Sequence, residues 1–250
     1  MRYFIEISYL GTAYHGWQLQ PNAITIQEKL EDALSKILKQ DMRIHGSSRT
    51  DTGVHARQQF AHFDIESLSI QKDHLIWKLN SLLPADISVN NIYKVSQDCH
   101  SRFDAENRKY IYRIHLKKDP FVIENSLYFR KGLDIEKLNN AAQILFEYED
   151  FQCFSKVKTE VNNFVCQISE AQWLLKGHHL EFHIKANRFL RGMVRAIVGT
   201  LLDIGMNKMN LDDLRSVIQS KDRTKAGSAA KAVGLTLEEV NYPVKYFING

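Results

Sequence analysis

The chain has 250 residues, 44% of them hydrophobic, and a net charge of +4, which is enough apolar material for one large or two modest cores and too little charge for a basic tail. The charge is uneven: residues 151–250 carry 14 Lys+Arg against 9 Asp+Glu, which makes the second part the better candidate for a polyanion-binding surface. Arg2 and Glu6 interrupt any apolar signal region, no uncharged run of about 18 apolar residues occurs, and Cys99, Cys153 and Cys166 form no Cys-x-x-Cys pair; a cytoplasmic protein with reduced thiols and no membrane attachment is expected.

In chain order, Arg2–Tyr9 alternates like a strand. A capping box at Thr25-Ile26-Gln27-Glu28 then opens an amphipathic helix with Ile26, Leu30, Ala33, Leu34, Ile37 and Leu38 on one face. Residues 46–56 read Gly-Ser-Ser-Arg-Thr-Asp-Thr-Gly-Val-His-Ala. Gly46 and Gly53 allow a tight turn that presents Asp51 outward, a candidate nucleophile, although an aspartate between Thr and Gly is ordinarily a turn-former bonding its own backbone. Residues 73–83 read as a helix ended by Pro84, and Ile87–Val95 as a strand.

A second half begins near residues 100–108. Residues 109–116 alternate like a strand, Asp134 is placed to cap a helix carrying Ile135, Leu138, Ala142, Leu145 and Phe146, and residues 165–175 and 180–186 read as a hairpin around Gly177. Alternation sets Tyr110 and Tyr112 on one face, with Arg108 adjoining; a tyrosine combines a stacking ring with a hydrogen-bonding phenol. A helix over about 188–206 would align Arg188, Arg191 and Arg195 at i, i+3, i+7, a face suited to phosphates or simply to water. Trp17, Trp77, Trp173 and Phe189 are read as core.

Strands, helices and hairpins in this mixture predict an α+β fold: two similar, ferredoxin-like halves of the RNA-recognition-motif type, 1–105 and 106–250, packed around a largely antiparallel sheet with a central basic cleft. The spacing of His179 and His183 on a turn and strand does not make a metal site. No phosphate loop or dinucleotide fingerprint is present, so neither metal nor cofactor is expected.

The segments Tyr9-Leu10-Gly11-Thr12-Ala13-Tyr14-His15-Gly16-Trp17-Gln18-Leu19-Gln20, Ser48-Arg49-Thr50-Asp51-Thr52-Gly53-Val54-His55-Ala56 and His62-Phe63-Asp64 occur in that order. They are followed by Leu79-Asn80-Ser81-Leu82-Leu83-Pro84, Arg108-Lys109-Tyr110-Ile111-Tyr112, the run from Arg188 to Thr200, and Ala229-Ala230-Lys231-Ala232-Val233-Gly234-Leu235. This ordered set resembles the tRNA pseudouridine synthase A family over nearly the whole chain, with Ser48 standing where the family usually has glycine. The resemblance implies Asp51 as the catalytic carboxylate, Arg195 as its ion-pair partner and Tyr110 against the uracil, and it makes Arg49 a candidate wedge or phosphate clamp. It also implies modification of uridines 38–40 in the tRNA anticodon stem-loop by a homodimer. The sequence argues against two other classes. Asp-Thr-Gly is the aspartic-protease signature, but it occurs once and follows an arginine; a non-catalytic RNA-binding module would have no use for Asp51, Tyr110 and Arg195 together.

Overall fold

A computed structural model describes residues 1–156 and 163–248. The chain forms two compact units, Met1–Glu106 together with the stretch from Leu237 onward, and Asn107–Thr236. Among the described residues there are nine strands and five α-helices, and the α+β expectation holds. No helix of these is long and apolar enough to cross a membrane.

In the first unit, β1 (Arg2–Tyr9) lies between β4 (Ile87–Val95) and β3 (His55–Asp64), antiparallel to both, and the short β2 (His45–Gly46) extends β3. The helix α1 (Ile26–Leu38) starts at the expected capping box, where the Thr25 hydroxyl accepts from Glu28 N and the Glu28 carboxylate accepts from Thr25 N. It buries Ile26, Leu30, Ala33 and Leu34. In α2 (Lys72–Leu82), Leu75 and Leu79 at i, i+4 are buried. Leu83, which precedes Pro84, is already extended, because proline excludes the helical conformation from the residue before it. Trp77 corrects an expectation: placed two residues from each of the buried leucines, it points away from the core and is 66% exposed. The last strand, β9 (Leu235–Asn241), brings Tyr242 against Phe4 and Phe60 at ring separations of 4.9 and 5.3 Å. Its Val240 N donates to Gln58 Oε1, and Phe247 forms a bridge with Val95.

In the second unit, β5 (Asn107–His115), β8 (His179–Ala186) and β7 (Ile168–Lys176) form an antiparallel succession, and β6 (Leu127–Tyr128) joins β5 in parallel. The β7–β8 hairpin turns at Gly177, φ +61°. The helix α3 (Ile135–Ile144) is capped by Asp134, as expected, and is fastened to β7 through Asn139, which donates to Trp173 O and accepts from Trp173 N. It buries Leu138 and Ala142, with Leu145 buried in the turn that follows; Phe146, expected on the same face, is exposed. The helices α4 (Met193–Gly205) and α5 (Leu211–Ser220) complete the unit.

The start of α4 overturns the predicted arginine face. Gly192 sits at φ +73° and ends the helix on its N-terminal side, so Arg188 and Arg191 precede the helix and only Arg195 belongs to it. The i, i+3, i+7 alignment therefore does not exist.

Candidate functional site

Asp51 lies half-buried in the loop between β2 and β3, and its position is fixed by the segment that follows β1. Tyr9 Oη and Thr50 Oγ1 share a 2.8 Å hydrogen bond; Trp17 N donates to Thr50 O at 3.1 Å, and Gly53 N donates to Tyr14 O at 3.3 Å. Gly11 N donates to His55 Nδ1 at 3.0 Å, which requires that ring nitrogen to be unprotonated. Val54 N donates to Asp51 O at 3.1 Å, closing the turn around Asp51 itself.

The glycines allow this close approach. A Cβ on Gly16, at φ +89°, would lie 2.5 Å from Thr50 O, and one on Gly11 would lie 2.0 Å from Val54 O. Gly53, at φ +75°, supplies the predicted left-handed turn. Gly46 has a different use from the one predicted: it lies in β2 with the Trp17 indole against it, 2.4 Å from where a Cβ would be. Ser48, which stands in place of glycine, is buried, and its carbonyl accepts from Gln59 Nε2 at 2.7 Å. Arg49 is exposed beside Asp51. Tyr14 donates to Asp86 at 2.6 Å, and burial followed by that bond pushes its phenol well above the ordinary tyrosine range, so it stays protonated.

In the second unit, Tyr110 stands in β5 opposite Ile184, half-buried, with its ring edge-on to Phe189 at 5.2 Å. On the same face of the strand, Arg108 is buried and donates to Asn187 O at 3.0 Å, and Tyr112 is buried and donates to Lys231 O at 2.8 Å. Burial raises the Tyr112 phenol far above its ordinary value, and the nearby Arg195 guanidinium opposes that shift.

Arg195, in the first turn of α4, donates through Nε to Ala230 O at 2.7 Å while its own carbonyl accepts from Ala230 N at 2.9 Å. The strap 227–231 that carries Ala230 is held flush to the helix. A Cβ on Gly199 would sit 1.8 Å from Ser228 O, and Thr200 Oγ1 accepts from Gly227 N. Arg188 is half-buried and Arg191 exposed, both in the turn before α4, where Lys156 N donates to Arg191 O.

The structure thus brings Tyr110, Tyr112 and Arg195 into one unit and fixes Asp51 in the other. Carboxylates flank the basic side chains of the β7–β8 hairpin: Glu181 lies 3.0 Å from His183 Nε2 and 3.9 Å from Lys176 Nζ, and Glu170 lies 3.8 Å from His183 Nδ1. Among the described residues no group of three His, Cys, Asp or Glu side chains could hold a metal ion. Sequence reasoning missed the supporting roles of Tyr9, His55 and Ala230. The segments that contain them were visible as motifs, but their partners lie 35 to 44 residues away, with no local signal of the pairing.

Comparison with known proteins gives a consistent result. Residues 6–104 and 141–243 match the family described as tRNA pseudouridine synthase. The chain is 47% identical over 247 residues to tRNA pseudouridine synthase A of Bacteroides fragilis, covering 98% of each chain. It is 44% identical over 250 residues to that of Porphyromonas gingivalis, covering 99% of each, and 40% identical over 240 residues to that of Clostridium kluyveri, covering 95% of this chain and 98% of the relative.

Proposed function

The chain belongs to the tRNA pseudouridine synthase family, and from that premise we propose that it isomerises uridine to pseudouridine at positions 38–40 of the anticodon stem-loop, with Asp51 as the nucleophile. The observation that carries this reading is the double constraint on the Asp51 loop: hydrogen bonds shared with Tyr9, Tyr14 and Trp17, and glycines that let two backbone segments touch. Half-buried turn aspartates with no task do not require such support, whereas a nucleophile must be held within a fraction of an ångström of its target.

The chemistry breaks the bond between ribose C1′ and uracil N1, turns the base, and forms a bond between C1′ and C5. N1 gains a proton and C5 loses one. Asp51 attacks C1′, or stabilises the positive charge developing there, as a glycosidase carboxylate does; attack at C6 of the uracil is the other route open to a carboxylate. Arg195 serves as the ion-pair partner that orients Asp51. Tyr110 packs against the uracil and assists in removing the C5 proton. Arg49, exposed beside Asp51, acts as a wedge or phosphate clamp while the target base leaves its stack, a step that costs a few kcal/mol. Arg188 and Arg191 contact phosphates. The enzyme works in the cytoplasm as a homodimer without metal or cofactor.

The test uses uridine transcripts of tRNA labelled with tritium at C5, incubated with purified protein in EDTA. Label released into water, with pseudouridine mapped to positions 38–40 and no free uracil, is the expected result. Uracil release without tritium exchange would identify a glycosylase instead, and absence of both would leave only a binding protein.

A further inference from the structure

At the far end of β5, five residues beyond Tyr110, a pocket of about 300 Å³ is lined by His115, Lys117, Lys118, Asp119, Pro120, Phe121, His178 and His179. At about 3.3 Å per residue it lies roughly 17 Å along the strand from Tyr110. Five of its linings are basic or can become so, and no hydrogen bond or ion pair engages the Lys117 or Lys118 ammonium groups among the described residues. The one carboxylate, Asp119, is occupied in shaping the loop: its Oδ1 accepts from Phe121 N at 2.9 Å. That turn presents the Phe121 ring, which is 95% exposed, to solvent.

His115 supplies an independent pointer. It is 1% exposed, shares a 3.0 Å hydrogen bond between Nδ1 and Ser126 Oγ, and stacks on Tyr128 at 5.2 Å, yet its Nε2 has no hydrogen-bond partner. Buried polar atoms without partners are rare, because the group forfeits its hydration and gains nothing. When Ser126 Oγ donates to Nδ1, Nε2 carries the proton and seeks an oxygen acceptor. Cations, an exposed aromatic ring and a donor without an acceptor line a volume at the small end of ligand sites, too small for a folded partner and suited to one nucleotide.

We propose that this pocket is an accessory RNA site that takes a single nucleotide away from the reacting uridine, with its phosphate at Lys117 and Lys118, its base on Phe121, and one of its oxygens accepting from His115. This rests on the reading of the chain as an enzyme of tRNA. Seventeen ångström corresponds to about five nucleotides at a 3.4 Å rise, so an RNA strand engaged at Tyr110 can reach it.

The test measures tRNA affinity by filter binding over a range of salt, together with turnover at saturating tRNA, for the wild type, Phe121→Ala and the double variant Lys117→Ala/Lys118→Ala. All three positions are on the surface loop, and thermal melting checks that the variants fold. Phe121→Ala should weaken tRNA binding about tenfold with an unchanged salt slope. The double variant should weaken it and reduce the slope by about one to two units, and both should keep wild-type turnover at saturation. Unchanged affinity in both variants overturns the proposal. In parallel, uridine monophosphate is titrated into the wild type and the His115 imidazole is followed by NMR; a shift there combined with unchanged tRNA affinity in the variants assigns the pocket to free nucleotides and also overturns it. If the wild type binds tRNA through these residues but forms no pseudouridine, the accessory site stands and the catalytic reading falls.

Discussion

Asp51 owes its place to neighbours with no side chain. Because Gly16 and Gly11 press their backbone against Thr50 and Val54, the carboxylate belongs to a loop whose two sides cannot slide independently. This gives the first prediction. Asp51→Ala should cut turnover by at least a hundredfold while leaving tRNA affinity within about threefold, since phosphate contacts dominate binding; single-turnover kinetics and filter binding check the two halves separately, and a variant with a tenth of wild-type turnover would sink the mechanism. A second residue-scale prediction concerns His62, which is 2% exposed, hydrogen-bonded to Ser101 and surrounded by Arg2, His45 and His100, with only Asp64 favouring its charge. Burial, then Arg2, lowers its pKa from 6.5 to about 3. A base depressed in the folded state binds more protons when unfolded, so its contribution is fully present above pH 6.5 and is lost progressively as the pH falls toward 3. Between pH 7 and 5 the loss is about 2 kcal/mol. The carboxylates held low, Asp64, Glu170 and Glu181, lose their contributions only in a more acidic window. Denaturant unfolding at the two pH values should show His62→Gln losing about 2 kcal/mol less than the wild type; equal losses would place the acid sensitivity elsewhere.

Among the elements, α4 is the most informative. Its sequence reads as helical from about 188, since nothing between Arg188 and Arg195 breaks the apolar period except one glycine, and a lone glycine is tolerated in many helices. Only the left-handed φ of Gly192 reveals that the helix starts at Met193. By contrast, α1 and α3 were legible because their start signals are side chains, Thr25 with Glu28 and Asp134, whose bonds are local. Trp77 was misread since composition marks it as apolar while its place between Leu75 and Leu79 turns it outward. The candidate site was legible as a set of residue types in order, but not in its supports: the strap that holds Arg195 through Ala230 is 35 residues away in sequence. The third prediction belongs here. Arg195→Ala should lower turnover at least a hundredfold with little change in affinity, whereas Arg188→Ala and Arg191→Ala should each weaken tRNA binding and reduce its salt slope by about one unit. Binding isotherms at several salt concentrations, paired with saturating rates, separate the two classes; equal effects from all three would refute the division.

For the molecule as a whole, the notable fact is that the chain returns: residues from Leu237 onward belong with Met1–Glu106. That membership has no signature in sequence, because residues 235–241 carry no mark of the segment they join. A stop after Thr236 should therefore damage the first unit, removing Tyr242 from the cluster with Phe4 and Phe60 and Phe247 from its bridge to Val95. Losing a buried aromatic alone costs about 3–5 kcal/mol, a large part of the stability of an ordinary domain. Limited proteolysis should cut the truncated chain within residues 1–106, where the full chain resists; equal resistance of that segment in the two chains would show the tail to be dispensable.

This return also orders events at the ribosome. Translation ordinarily lets an amino-terminal domain fold while the rest is still being made. Here the 130 residues from Asn107 to Thr236 intervene, so at about 5–20 residues per second the early segment waits roughly 7 to 26 s for its final strand. The nascent polypeptide thus carries the Asp51 loop through synthesis on an unfinished scaffold, and a product terminated before Leu237 would lack the strand that completes it.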